Sequence, residues 1–252
     1  MPAQLGPALL VALVLLLVLA VGASMVGRLG TQRQIALAAM RAVVQLSGVA
    51  LVITLVLRSI WWSLLFAGLM FCIATATTAA RIGARRAWPW AAAAVAAGVI
   101  PVLVVIFGVR AVPFTGPALI AFAGIIIGGA MNAHSLAGLR VFGALREQHD
   151  AYEAALALGM PRPDAIDIVA HRVLPEALVP GMDQTRTVGL VTLPGAFIGV
   201  LLGGGSPVQA ATAQVLVLVG LLAAQTITVV SHYQFVRIGR LLPADLDRTL
   251  QH

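Results

Sequence analysis

Long apolar runs separated by short arginine-bearing breaks dominate this chain, and that pattern predicts membrane-spanning helices. Seven spans are expected: Leu5 to Val26, Ile35 to Leu57, Ile60 to Ala80, Trp88 to Phe107, Pro117 to Leu139, Val188 to Leu202 and Gln209 to Ser231. Most approach the twenty or so residues that about 30 Å of hydrocarbon requires. The first run lacks a positive n-region and exceeds a usual signal h-region, so it reads as a retained span. Trp88 and Trp90 are placed as interfacial anchors, and Pro101 marks an expected kink in the fourth span.

One polar interruption breaks this pattern, from Asp150 to Pro180. Its grammar is helix, break, helix. Asp150 with Glu153 three residues later resembles a capping box; Ala151, Ala154, Ala155 and Leu158 then recur at helical spacing, and Gly159 supplies the stop. Pro161 and Pro163 forbid simple continuation, and a second helix beginning near Asp164 carries Ile168, Val169 and Val173 back toward the apolar phase. Seven of the nine acidic residues lie in or beside this stretch, so residues 147–183 are expected to form a water-facing hook. Residues 232–252 form a polar C-terminal tail.

Composition agrees with the span count. Of 252 residues, 60% are hydrophobic and 10% charged, against about 25% charged in soluble domains. The net charge of +7 falls in short loops and not along one exposed face, which argues for membrane topology over nucleic-acid binding. With the hook cytoplasmic, fourteen of the sixteen arginines fall on or near the cytoplasmic side, leaving Arg58 and Arg110 outside. The positive-inside rule then places the N-terminus outside and the C-terminus in the cytoplasm. Cys72 is expected to be a small buried hydrophobe.

The missing residue types narrow the function. The chain has no lysine, so it lacks the one a Walker A loop needs, and an ATP-driven process would need a separate ATPase subunit holding the ATP and magnesium. No Asp or Glu falls inside the expected spans, which argues against a proton-coupled carrier. Path candidates are Arg41, Gln45, Asn132, His134 and Gln214; each is equally suited to holding helices together. Gly124 and Gly128, and the ridge Gly195, Gly199 and Gly203, have small-residue spacing for close helix packing, the ridge being a candidate homodimer interface. A membrane enzyme with His134 as general base is a weaker alternative, because no Ser, Cys or acid partner forms a recognisable arrangement with it. The residues single out no metal site and no bound cofactor.

Two resemblances add to this reading. Glu153-Ala154-Ala155, then Gly159, with Leu174-Pro175 downstream, resembles the EAA loop by which ABC-transporter permeases dock their ATPase. The resemblance implies that Glu153, Ala154, Ala155, Gly159 and Arg162 carry coupling. More of the chain is similar to the FetB-type permease family: Arg41-Ala42 with Gln45-Leu46, the segment from Thr187 to Gly195, and Ser206-Pro207 with Gln214. Bacterial members of that family are described as iron exporters, and plant relatives are linked to aluminium tolerance. The family implies an inner-membrane permease paired with a FetA-type ATPase. Gly128-Gly129-Ala130-Met131 stands where the family pattern carries Gly-Asn-Ala-Met, with an Asn only at 132. An EAA-like loop is also typical of methionine and amino-acid import permeases, the alternative reading. The expectation is thus an all-α, polytopic, single-domain permease of about seven transmembrane helices with a cytoplasmic coupling hook.

Overall fold

The computed structural model describes residues 6–250. Eleven α-helices and two short 3-10 turns make up the described chain, and no strand occurs in it. Two compact units divide the chain, Met1–Arg58 and Ser59–His252.

The first unit is a pair of helices, α1 (Pro7–Val26) and α2 (Gln32–Val56). Its turn uses left-handed backbone at Arg28 and Gly30, and a 2.9 Å hydrogen bond between the Ser24 and Thr31 hydroxyls closes it. Most of the apolar side chains of these helices are exposed, as expected for surfaces solvated by lipid.

In the second unit, four long helices carry the frame: α3 (Ile60–Arg81), α4 (Trp88–Gly108), α5 (Gly116–Glu147) and α10 (Pro207–Arg237). The described residues therefore hold six helices long and apolar enough to cross a membrane. The 32 residues of α5 extend about 48 Å, more than the ~30 Å that hydrocarbon requires. Around its C-terminal end pack α6 (His149–Ala157), α7 (Arg162–Ala170), a 3-10 turn (His171–Ala177) and α11 (Ala244–Thr249). One apolar core lies among α3, α4, α5 and α10, with Val99, Ile126 and Leu221 at its centre. A second core, around Phe142, Tyr152, Ile166 and Leu246, fastens the hook to the helix ends.

Close approach between α4 and α10 depends on Gly98: a Cβ there would collide with the Thr228 hydroxyl and the Ala224 carbonyl oxygen. The helix continues through Pro101. Cys72 is exposed, because a lipid-facing side of α3 serves a small apolar side chain as well as the interior does.

The expected span from Val188 to Leu202 is not a continuous helix. Instead, α8 (Val179–Thr187) ends at the break and α9 (Gly195–Leu202) provides eight residues, or about 12 Å. Between them Gly189 takes φ +83, its N–H donates to the Thr192 carbonyl at 2.8 Å, and Pro194 stands just outside α9. Left-handed backbone and a proline without an N–H both stop helix propagation. Both α5 and α10 end at the hook, so the chain between them must climb to the start of α10. It climbs alongside α10 in these two short pieces, Gly181 lying against Gln225 and Pro194 sharing a cavity wall with Gln214. At the top, Ser206 and Gln209 form a capping box that starts α10.

Candidate functional site

The hook is built by the breaks in its sequence. After α5, Gln148 leaves helical geometry (ψ 35°) and α6 starts at His149. The expected capping box at Asp150 does not form; the Glu153 carboxylate reaches back to His149 Nε2 at 3.1 Å. At the far end Gly159 adopts φ +84, and the Gly159 and Met160 N–H groups donate to the Leu156 and Ala155 carbonyls. Such an end favours glycine because it has no Cβ penalty.

The two sides of α6 differ from the single apolar face expected. Ala155 turns inward beside Tyr152, while Ala151, Glu153, Ala154 and Gly159 are exposed and Leu158 is 84% exposed. Small side chains, one leucine and one carboxylate thus project away from a rigid base. Several bonds hold that base. The Tyr152 hydroxyl donates to the Leu250 carbonyl at 3.0 Å, and burial raises the phenol pKa. Arg146 Nε donates to Asp245 at 2.7 Å and holds that carboxyl below its usual range. Arg237 bonds Asp164 at 3.2 Å, tying α7 directly to the end of α10. Arg162 lies beside Gly239, half-buried, with its Nε and one terminal nitrogen unbonded.

A second polar region lies within the helices. His134 Nδ1 and the Thr78 hydroxyl are 2.8 Å apart, His134 Nε2 is 3.1 Å from His232 Nδ1, and Ser135 donates to Thr78 at 2.8 Å. Which atom donates in each of the two His contacts depends on the ring tautomers. Among the described residues, His232 Nε2 is a buried group without a hydrogen-bond partner. The cluster joins α3, α5 and α10, so His134 is part of an interhelical clamp. Thr78 and His232 are 56 and 98 residues away from it in sequence, and no local pattern links them.

The remaining predicted residues fall in different places. Asn132 accepts a long hydrogen bond from Arg81 at 3.4 Å on an exposed surface. Gln214 is buried, with its side-chain oxygen unbonded, on a cavity of about 380 Å³ between α10 and the broken α8–α9 crossing. The cavity brings Gln214 together with Gly195 and with Gln184, a residue between the expected hook (147–183) and the expected sixth span. Gln225 is a further buried amide with an unbonded oxygen on the same helix, and it abuts Gly181. Arg41 and Gln45 are exposed on α2 in the first unit. A Cβ on Gly124 would come within 3.0 Å of the Met70 methyl, whereas one on Gly128, Gly195 or Gly199 would meet nothing within 4 Å. Gly203 approaches only carbonyl oxygens of its own α9, from Gly199 and Val200.

A broken crossing beside a long helix, with buried amides facing it and a polar hook bound to the same helix, defines a polytopic all-α membrane protein. The chain belongs to the uncharacterised protein family UPF0014, whose family model matches residues 7–238. It is 32% identical over 213 residues to the UPF0014 membrane protein STAR2 of Oryza sativa subsp. japonica, covering 83% of this chain and 75% of that one. It is 26% identical over 204 residues to the membrane protein YjkA of Bacillus subtilis, with 80% and 82% coverage. Similarity to the probable iron export permease protein FetB of Escherichia coli is 29% over 136 residues, covering 54% of this chain and 52% of FetB. No solved structure matches.

Proposed function

We propose that this chain is the membrane-spanning permease subunit of an ABC transporter, driven by a separate FetA-like ATPase and exporting iron or a related metal species. The observation that carries the reading is the outward face of α6. Ala151, Ala154 and Leu158 stand exposed beside Glu153 on a helix whose other side packs on α5 and α7 and is tied through Tyr152 to Leu250 after α11. A small-residue helix of this kind fits a groove on a partner protein. The naming of FetB as a probable iron export permease supports the cargo.

Coupling follows from the tethers. Nucleotide-driven movement of a docked α6 is passed through Tyr152 and the Asp164–Arg237 pair to the end of α10. Sliding or tilting of α10 against α8 and α9 changes the cavity that holds Gln184 and Gln214. Among the described residues, no three His, Cys, Asp or Glu side chains group as a metal-binding set, so the cargo meets neutral amides there. Such a lining suits a weakly held or chelated metal and suits an organic cargo equally well. The arginine distribution supports a cytoplasmic hook, with the N-terminus outside and the chain in the plasma (inner) membrane.

The test is ATP-dependent uptake of labelled iron into inverted vesicles that hold this chain with its ATPase. Uptake that requires both proteins is expected. Permease-stimulated ATP hydrolysis without iron uptake would remove the metal from the reading and leave the transporter class standing.

A homodimer completes the proposal. Leu190 is 91% exposed and Val191 77% exposed on non-helical backbone, and irregular backbone within a membrane is tolerated only where protein or a wet cavity covers it. Gly195 and Gly199 lie open next to it, ready for close approach by a second copy. In a Cys72→Ser background, a Val191→Cys chain is expected to cross-link to itself in membranes. A control cysteine at Val104, also exposed on α4, is expected to remain monomeric; equal cross-linking at both positions would reject this interface.

A further inference from the structure

A cavity of about 570 Å³ opens at the hook-side ends of α3, α4 and α10, away from the amide-lined cavity described above. Its wall carries Arg85, Arg86, Arg240 and Arg248, with Asp247 as the one carboxylate in the lining. Two left-handed glycines build it. Gly83 (φ +74) turns the chain after α3 into the 3-10 turn Arg85–Ala87, and Gly239 (φ +72) turns it after α10 toward α11. These two loops come close, a Cβ on Gly83 falling 3.8 Å from Pro243, so arginines more than 150 residues apart in sequence face one space.

The aromatic floor gives the cavity its chemistry. The Arg240 guanidinium lies 5.4 Å from the centre of the Trp90 ring, and Trp90 is itself packed on Phe235 at 5.1 Å. Stacking holds a guanidinium by its face and leaves the N–H edge available for planar, paired hydrogen bonds, which suit phosphate oxygens. The position selects further: α3 ends at Arg81, α4 begins at Trp88 and α10 ends at Arg237, and helix ends that carry arginine and tryptophan suit the boundary between hydrocarbon and water.

We propose that this cavity is a binding site for a phosphate group, of the kind carried by an anionic phospholipid headgroup at the membrane boundary. Four cationic side chains around one carboxylate attract the phosphate, and Trp90 supplies the amphipathic edge next to the glycerol and acyl region. Nothing in the site depends on the transporter reading given above.

The experiment uses the full chain, purified in non-ionic detergent and offered equal amounts of phosphatidylglycerol and phosphatidylcholine with the same acyl chains. Bound lipid is counted by native mass spectrometry. The chain is expected to retain phosphatidylglycerol at least tenfold over phosphatidylcholine. An Arg85→Gln/Arg240→Gln variant is expected to bring that preference down to near one, each charge at a membrane surface being worth roughly fivefold. An Arg58→Gln/Arg110→Gln variant removes the same charge elsewhere and keeps the preference. If the first pair disturbs folding, as judged by its melting temperature without lipid, the exposed Arg86→Gln alone is expected to lose about fivefold. Inorganic phosphate then separates two sources of the ligand. Phosphate that raises the melting temperature of the wild type but not of the variant, with no lipid preference, identifies a free-phosphate site; a lipid preference that survives excess phosphate identifies the headgroup. No preference together with no effect of phosphate, or a loss that is equal in both double variants, overturns the proposal.

Discussion

Replacing Leu158 by arginine is expected to leave the fold of this protein intact and to lower permease-stimulated ATP hydrolysis by at least about tenfold. Leu158 is 84% exposed at the end of α6, so an arginine there finds water and disturbs no core packing. Surface changes of this kind typically alter stability by within about 0.5 kcal/mol. A partner groove that accepts a leucine would have to desolvate a guanidinium instead, and a buried unpaired charge is costly enough to abolish docking. The adjacent Gly159 gives a complementary result. A Cβ there meets nothing within 4 Å, but φ +84 is unfavourable for any other residue, so Gly159→Ala costs about 1 kcal/mol through the backbone alone. Gly159→Glu adds a charge at the same docking surface and is expected to uncouple fully. Both variants are to be compared by melting temperature and by ATP hydrolysis with the ATPase bound. If Leu158→Arg stimulates hydrolysis as the wild type does, α6 is a plain surface hairpin and the coupling role is wrong.

Gly98→Val is expected to have a large structural effect in the four-helix core. The added Cβ would overlap the Ala224 carbonyl oxygen and the Thr228 hydroxyl, and a backbone carbonyl within α10 has no rotamer by which to move away. Overpacking in a well-filled interior typically costs about 1–3 kcal/mol, and a collision with backbone lies at or beyond the upper end. Separation of α4 from α10 would also open the core at Val99, Val102 and Leu221. Little folded protein is expected to survive detergent extraction. The contrast is Gly128→Ala: nothing lies within 4 Å of that Cβ, and alanine is the better helix former by about 1 kcal/mol, so stability is expected to hold or rise. Equal melting temperatures for the two variants would show that α4 and α10 are not packed as closely as described.

These two expectations depend on different amounts of sequence information. The break at Gly159 was readable because glycine and the prolines at 161 and 163 act locally, through their own backbone geometry. Which side of α6 is buried was not readable. Alanines occur on both sides of it, and Tyr152 turns inward into a core where Leu250, just after α11 and nearly 100 residues later, accepts its hydroxyl. Gly98 is indistinct in a run of alanines and valines, since the atoms that demand glycine there belong to α10. The same holds for the cluster of Thr78, His134 and His232, where three separate helices each contribute one polar side chain.

The broken crossing lies between these cases. Apolar residues from Val188 to Leu202 suggested a span because hydropathy counts transfer energy and is blind to backbone geometry. Gly189 and Pro194 held the opposing signal, and the structure follows them.

By itself, the amino-acid sequence determined that this is an all-helical membrane protein, that a polar hook lies between its long helices, and that the hook breaks at Gly159 and the prolines after it. Those properties come from transfer energies summed along a run and from single-residue backbone preferences, both of which are local. The tertiary structure alone decided which face of α6 is presented, which glycines let helices meet, and how Gln184 comes to share a cavity with Gln214. Contacts of that kind arise between residues far apart in the chain, and a lipid-facing apolar surface looks the same in sequence as a protein-facing one. In a membrane both surfaces are solvated by hydrocarbon-like groups, so the hydrophobic pattern that sorts inside from outside in a water-soluble fold carries no such information here.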